Sequence, residues 1–148
     1  MLQRLRDWLA APAGESPAAR TSSKASVRTA AQRRGDAAEE LALAHLQDAG
    51  LTLVERNFLA RGGEIDLVMR EGAVLVFVEV RHRSDAGHGD GLASVGPRKQ
   101  RRLLAAARHY LAQHPQAARD LLRFDIVSSG AGGLRWVRDA IRVDEGGW

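Results

Sequence analysis

The chain reads as an α/β protein with a mixed central sheet. Apolar residues recur at helical spacing over about 36–49 and 97–113, and short strand-like apolar runs lie between and after these segments. Two of the runs are joined by a turn too short for anything but an antiparallel pair. The order is helix, three strands, helix, two strands. The hairpin makes part of the sheet antiparallel, which separates it from a doubly wound parallel fold.

The elements follow in order. Asp36 suits an N-cap, Glu39 lies three residues later as in a capping box, and Gly50 is a natural stop, so a helix is expected over about 36–49. At about 100° per residue, Ala42, Leu43, Leu46 and Ala49 form its apolar face. Glu39 projects within that face and Glu40 away from it. Glu39 thus reads either as a cap or as an acid aimed at the sheet. Leu51–Asn57 and Glu64–Arg70 read as strands, and Glu71-Gly72 as the turn into a third, Val74–Arg81. That third run is apolar on both faces apart from Glu79 and Arg81, as expected of a central strand covered by helices above and below. After a Gly-rich stretch, 87–96, Pro97 opens a second helix and Pro115 ends it. Its apolar face is Leu103, Leu104, Ala106, Ala107, Tyr110 and Leu111. Arg123–Ser129 reads as an inner strand, and a turn at Gly130–Gly133 leads into a last one, Leu134–Ala140.

At 148 residues, a body from 35 to 148 behind a basic tail, 1–34, is the economical division. The tail segment holds seven Lys/Arg against two Asp/Glu, and the body fifteen against sixteen. The net charge of +4 is therefore a property of the tail, and the high pI alone does not argue for nucleic-acid binding. Cysteine is absent, which excludes disulfides, thiolate catalysis and Cys-type zinc sites. No apolar run approaches the roughly 20 residues of a membrane helix, and the N-terminus makes a poor signal peptide, so a cytoplasmic protein is expected.

Function concentrates in two stretches, Gly63-Glu64-Ile65-Asp66-Leu67-Val68 and Val76-Phe77-Val78-Glu79-Val80-Arg81. Each places a carboxylate in an apolar strand. A buried carboxylate is costly unless it is paired or holds a metal. Across the intervening turn, Asp66 and Glu79 can lie side by side. Two hard oxygen ligands and no cysteine favour Mg²⁺ or Mn²⁺. Such an ion suits phosphodiester hydrolysis, with a neighbouring cation, Arg81, to stabilise the transition-state charge. Arg98, Lys99, Arg101 and Arg102 cluster near the start of the second helix, either as a solvated face or as contacts to a nucleic-acid backbone. Asp125, beside Arg123, reads as a structural ion pair or a polar residue at the sheet edge rather than as a third metal ligand. His82, His88 and the scattered tryptophans suggest no role.

An acid on one strand, E-x-K-like spacing on the next, a preceding helical Glu and a following helix resemble the PD-(D/E)xK nucleases. The ordered set Gly35-x-x-Ala38-Glu39, Arg56-Asn57, Gly63–Val68, Phe77–Arg81, Ser94-Val95 with Lys99, and Arg123-Phe124-Asp125 is similar to the bacterial YraN-type endonuclease-like family, related to archaeal Holliday-junction resolvases. The resemblance implies a restriction-endonuclease-like three-layer αβα core. It implies a metal-dependent endonuclease acting on DNA, including branched or structured DNA. It also implies metal ligation by Asp66, Glu79 and the Val80 carbonyl, with Glu39 and Glu64 as supporting acids. Resolvase-like relatives admit a homodimer, since two cuts need two sites.

One departure stands out. The motif lysine is Arg81, which stays charged and can only donate, whereas a lysine can give up a proton. Lys99 is the body's only lysine, and it reads either as a second source of an ammonium at the site or as a solvated first-turn residue. The alternative functions are a nucleic-acid-binding module without turnover, with Arg81 as the lesion, and an adaptor whose basic tail and helix bind a protein partner.

Overall fold

The computed structural model describes residues 29–82 and 95–141. Expectations for residues 1–28, for most of the Gly-rich stretch with His88 and Ser94, and for Trp8 and Trp148 lie outside the described residues.

Two helices, a short 3₁₀ segment and five strands make up the fold: α1 Ala30–Asp48, β1 Thr52–Ala60, β2 Gly63–Glu71, β3 Val74–His82, α2 Pro97–Gln113, the 3₁₀ turn Pro115–Arg119, β4 Leu121–Gly130 and β5 Gly133–Val137. The strands lie in sequence order, β1-β2-β3-β4-β5. All neighbours are antiparallel except β3 and β4, which run parallel on either side of the α2 crossover. The sheet is mixed, as the hairpin and the long crossover require.

The central strand is β3. Leu75, Val76, Phe77 and Val78 are all almost completely buried, because both faces are covered. On one face α2 contributes Leu103, Leu104, Ala106, Ala107, Tyr110 and Leu111, the six positions its periodicity marks. They pack against Phe58, Val68, Phe77, Phe124 and Ile126. Tyr110 sits edge-on to Phe58 and Phe77, with ring centroids 5.1 and 5.6 Å apart, a favoured aromatic geometry. On the other face Ala42, Leu43 and Leu46 of α1 cover Leu67, Met69, Val76, Val78 and Val127. The result is a three-layer αβα core. None of the described helices is long and apolar enough to cross a membrane.

The start of α1 differs from the expectation. The N-cap is Thr29, whose side chain accepts from the Gln32 amide while the Gln32 side chain accepts from the Thr29 amide. Asp36 is therefore interior to the helix, and Glu39 is no cap. The segment 30–34, which the sequence leaves in the tail, is helical. Its Ala, Gln and Arg residues are good helix formers but carry no apolar period, and Gly35, unfavourable in a helix by about 1 kcal/mol, disguises the continuity. The apolar face also ends earlier, with Ala49 an exposed C-cap.

The β1–β2 hairpin is pinned to α2. Ala60 pairs with Gly63, so the turn is Arg61-Gly62, with Gly62 at φ +96. The next residue, Gly63, lies so close to α2 that a Cβ there would run into the Arg102 carbonyl. Backbone cannot yield as a flexible side chain does. Gly63→Ala is therefore expected to lower stability by about 1–3 kcal/mol, the range for overpacking, measured as a shifted urea midpoint. An unchanged midpoint would show that the hairpin does not need this contact.

Candidate functional site

The site grows from a parting of strands. The β2–β3 ladder runs from Glu71↔Val74 to Leu67↔Val78 and stops. Beyond it β2 continues against β1 as far as Gly63, and β3 against β4 as far as His82↔Ser129. Continuing the lost register one step places Asp66 opposite Glu79. The fork frees backbone groups, and Asp66 takes one of them: its Oδ2 accepts from the Val80 amide at 2.8 Å. Asp66 and Glu79 are 7% and 6% exposed, so water does little to relieve a charge on either.

Burial is the largest influence on Asp66 and the charge of Glu79 the next. Together they push its carboxyl up to about 8 against the opposing Val80 hydrogen bond. Glu79 in turn meets the Lys99 ammonium, 3.0 Å from Oε1, while its buried Oε2 has no hydrogen-bond partner. Asp66, Glu79 and Lys99 are thus brought together from β2, β3 and α2. The cation in contact with Glu79 is Lys99. Arg81, two residues further along β3, is half-buried at the end of the sheet, where its carbonyl faces the Ser129 hydroxyl at 3.5 Å.

Glu39 stands behind this pair. Burial raises its carboxyl, while the Asn57 side-chain amide, which reaches both oxygens at 3.2 Å once its NH2 is assigned to the Glu39 side, and the charge of Arg56 pull it back. Its charge is felt at Asp66, and that of Glu64 at Glu39. The four acids form a graded field around a two-carboxylate centre, since among the described residues no three potential ligand side chains cluster closely enough for a metal. Asn57 is marked in the sequence only as part of the Arg56-Asn57 pair of the resemblance, with no role given to it. It has φ 51 in the middle of β1, a conformation asparagine tolerates better than most residues, and by register it faces Asp66 across the β1–β2 ladder. A polar residue of low strand propensity inside a strand is the signal that could have marked it.

Beside the pair lies an open cleft of about 430 Å³ lined by Leu59, Gly62, Gly63, Glu64, Lys99 and Arg102. Two of the four basic residues expected near the start of α2, Lys99 and Arg102, line it. Arg98 and Arg101 are exposed on the same helix.

Asp125 is fully committed elsewhere. Arg123 holds it with two hydrogen bonds of 2.8 Å, and the Trp136 indole and the Asp139 amide add bonds of 3.0 Å each. Arg123 also reaches Glu71, which Arg138 grips as well, and the hydrogen bonds from these two guanidiniums hold the Glu71 carboxyl below its usual range. Asp125 is accordingly a structural ion-pair partner.

A three-layer α/β domain with two buried carboxylates at a strand fork and a cationic cleft alongside is the class of protein defined by the fold and this geometry. The chain belongs to the family described as Uncharacterised protein family UPF0102, whose profile matches residues 38–128, the span that holds all of these site residues. It is 52% identical over 118 residues to a UPF0102 protein of Xanthomonas campestris pv. campestris, covering 78% of this chain and 97% of the relative. It is 49% identical over 116 residues to one from Herminiimonas arsenicoxydans, covering 77% and 90%. A third, from Halorhodospira halophila, is 50% identical over 113 residues, covering 76% and 90%.

Two predictions follow from these charges. The folded carboxyl of Asp66, at about 8, lies above its ordinary value of 3.8, so folding favours its neutral form. That contribution is complete below pH 3.8 and is lost as pH rises through 8. The Tm of metal-free protein should therefore fall between pH 5 and pH 9. Asp66→Asn should flatten the decline and raise Tm by several degrees at the alkaline end, each kcal/mol being worth about 3–5 °C. A pH profile equal to wild type would refute the buried repulsion. Asp125→Ala, which leaves the Trp136 indole and the Asp139 amide without their acceptor and Arg123 with Glu71 alone, should cost about 2–3 kcal/mol in denaturant titrations. Loss of less than 1 kcal/mol would remove Asp125 from the structural core.

Proposed function

We propose that the chain is a metal-dependent endonuclease of the restriction-endonuclease-like PD-(D/E)xK kind, hydrolysing phosphodiester bonds in DNA, with branched or structured DNA as the substrate class suggested by the motif likeness. The carrying observation is the pair Asp66–Glu79: two buried acids feel each other's charge, Lys99 joins one of them, Glu79, to the wall of the cleft, and the other carboxylate oxygen of Glu79 is left without a partner. A purely structural pair would be expected to be neutralised, as Asp125 is. This one is relieved only by Asp66 keeping its proton and still leaves one Glu79 oxygen without a partner, and a divalent cation that displaces the proton fits both.

Mg²⁺ or Mn²⁺ would be held by Asp66 and Glu79, with the Val80 carbonyl as a further oxygen and Glu39 as a supporting acid. When bound, such an ion lowers the pKa of an attacking water and neutralises phosphate charge. The chain's own groups prepare the ground. The Val80 amide fixes the orientation of Asp66. Lys99 supplies a cation at Glu79 that, unlike Arg81, can pass on a proton. Arg102 extends the positive lining along the cleft, where a phosphate backbone can lie, and Arg98 and Arg101 continue it on the surface of α2.

The test is cleavage of labelled duplex and branched DNA with Mg²⁺ or Mn²⁺. Asp66→Asn and Glu79→Gln should each cut at least about 100-fold more slowly, the scale on which loss of one stabilising group is felt, with DNA affinity changed less than about threefold because phosphate contacts dominate binding. Lys99→Gln should impair cleavage more than Arg81→Gln. Variants that cut as well as wild type would sink the site. Salt-sensitive DNA binding with no cutting under either ion would make the chain the non-catalytic module instead.

A further inference from the structure

Leu59 is the most exposed large apolar side chain among the described residues, at 71%. Its position is unusual for a surface leucine. It lies near the tip of the β1–β2 hairpin, paired across the ladder with Glu64, and it lines the same cleft as Lys99 and Arg102. Its chain neighbour Phe58 is buried in the core, so the backbone beneath Leu59 is anchored. The tip is anchored as well, because Gly63 rests on the Arg102 carbonyl. Arg61, at the turn, is exposed beside it. An apolar knob on an anchored hairpin, on the lip of a cleft that holds Lys99 and Arg102 along with the Glu64 carboxylate, meets two features of nucleic acid together. The cations suit phosphates, and the leucine suits the flat apolar face of a base.

We infer that Leu59 is a wedge that enters an unstacked base step of DNA held in the cleft, so that the protein prefers duplexes with a weak or interrupted stack over continuous ones. The inference rests on the DNA-cleaving reading above and adds the feature of the substrate that is recognised. Apolar side chains inserted between base steps act in this way elsewhere, and a step already unstacked is the least costly to open. Continuous duplex resists the wedge and is held through phosphate contacts alone.

The experiment uses the full chain in metal-free buffer, where nothing is cut. The probes are a continuous duplex and the same duplex with a one-base bulge, each carrying 2-aminopurine beside the bulge position. Wild type should bind the bulged duplex at least roughly fivefold more tightly and raise the 2-aminopurine fluorescence as the base leaves the stack. Leu59→Ala should lose both the preference and the fluorescence rise, while its affinity for continuous duplex stays within about twofold. Leu59→Met, long and apolar, should keep both. If Leu59→Ala retains the rise, or if wild type binds both duplexes equally without one, the wedge is refuted and the nuclease reading stands. If wild type binds neither duplex, both fall.

Discussion

The arrangement turns on one unfavourable contact, two carboxylates held out of water and facing each other. Everything nearby can be read as a response to it. The fork between β2 and β3 supplies the Val80 amide to Asp66. The crossover helix brings Lys99 to Glu79. The Asp66 proton is retained to a pH at which an ordinary aspartate is long ionised. None of these fully compensates, as the unpartnered oxygen of Glu79 shows. Buried charge is tolerated in a fold of marginal stability only where the rest of the core can carry it. Here the fully covered β3 and the aromatic cluster of Phe58, Phe77, Tyr110 and Phe124 do so.

A third buried acid, Asp125, shows the contrast within the same sheet. It has a bidentate arginine, an indole and a backbone amide. All three acids were visible in the sequence as carboxylates in apolar strands. Only the partners distinguish them, and the partners come from distant segments: Trp136 and Asp139 for Asp125, Lys99 for Glu79. The adjacent Arg123 hinted at the first outcome. Nothing local indicated the second.

The fold was largely legible because its signals are local and strong. The two-faced apolar run of β3, the periodicity of α2 and the hairpin turn each fix one element independently. The start of α1 was not, since its first turns carry no apolar stripe and a glycine interrupts good helix formers. The Asp66–Glu79 pairing followed from counting residues across the turn, whereas the fork itself could not be read, because the end of a ladder depends on how neighbouring strands twist apart. Asn57, named only within the motif set, has no legible role for a related reason. Its φ of 51 and its grip on Glu39 arise from packing between α1 and β1, and sequence shows only an oddly polar strand residue.

The contact between Gly63 and the Arg102 carbonyl joins the hairpin to the helix as one unit. The cleft's two walls therefore lack the play of a jaw. A molecule entering it meets a mould whose shape is already set, and any bending needed for a close fit falls to the guest. Selection in such a mould favours pliable guests over stiff ones.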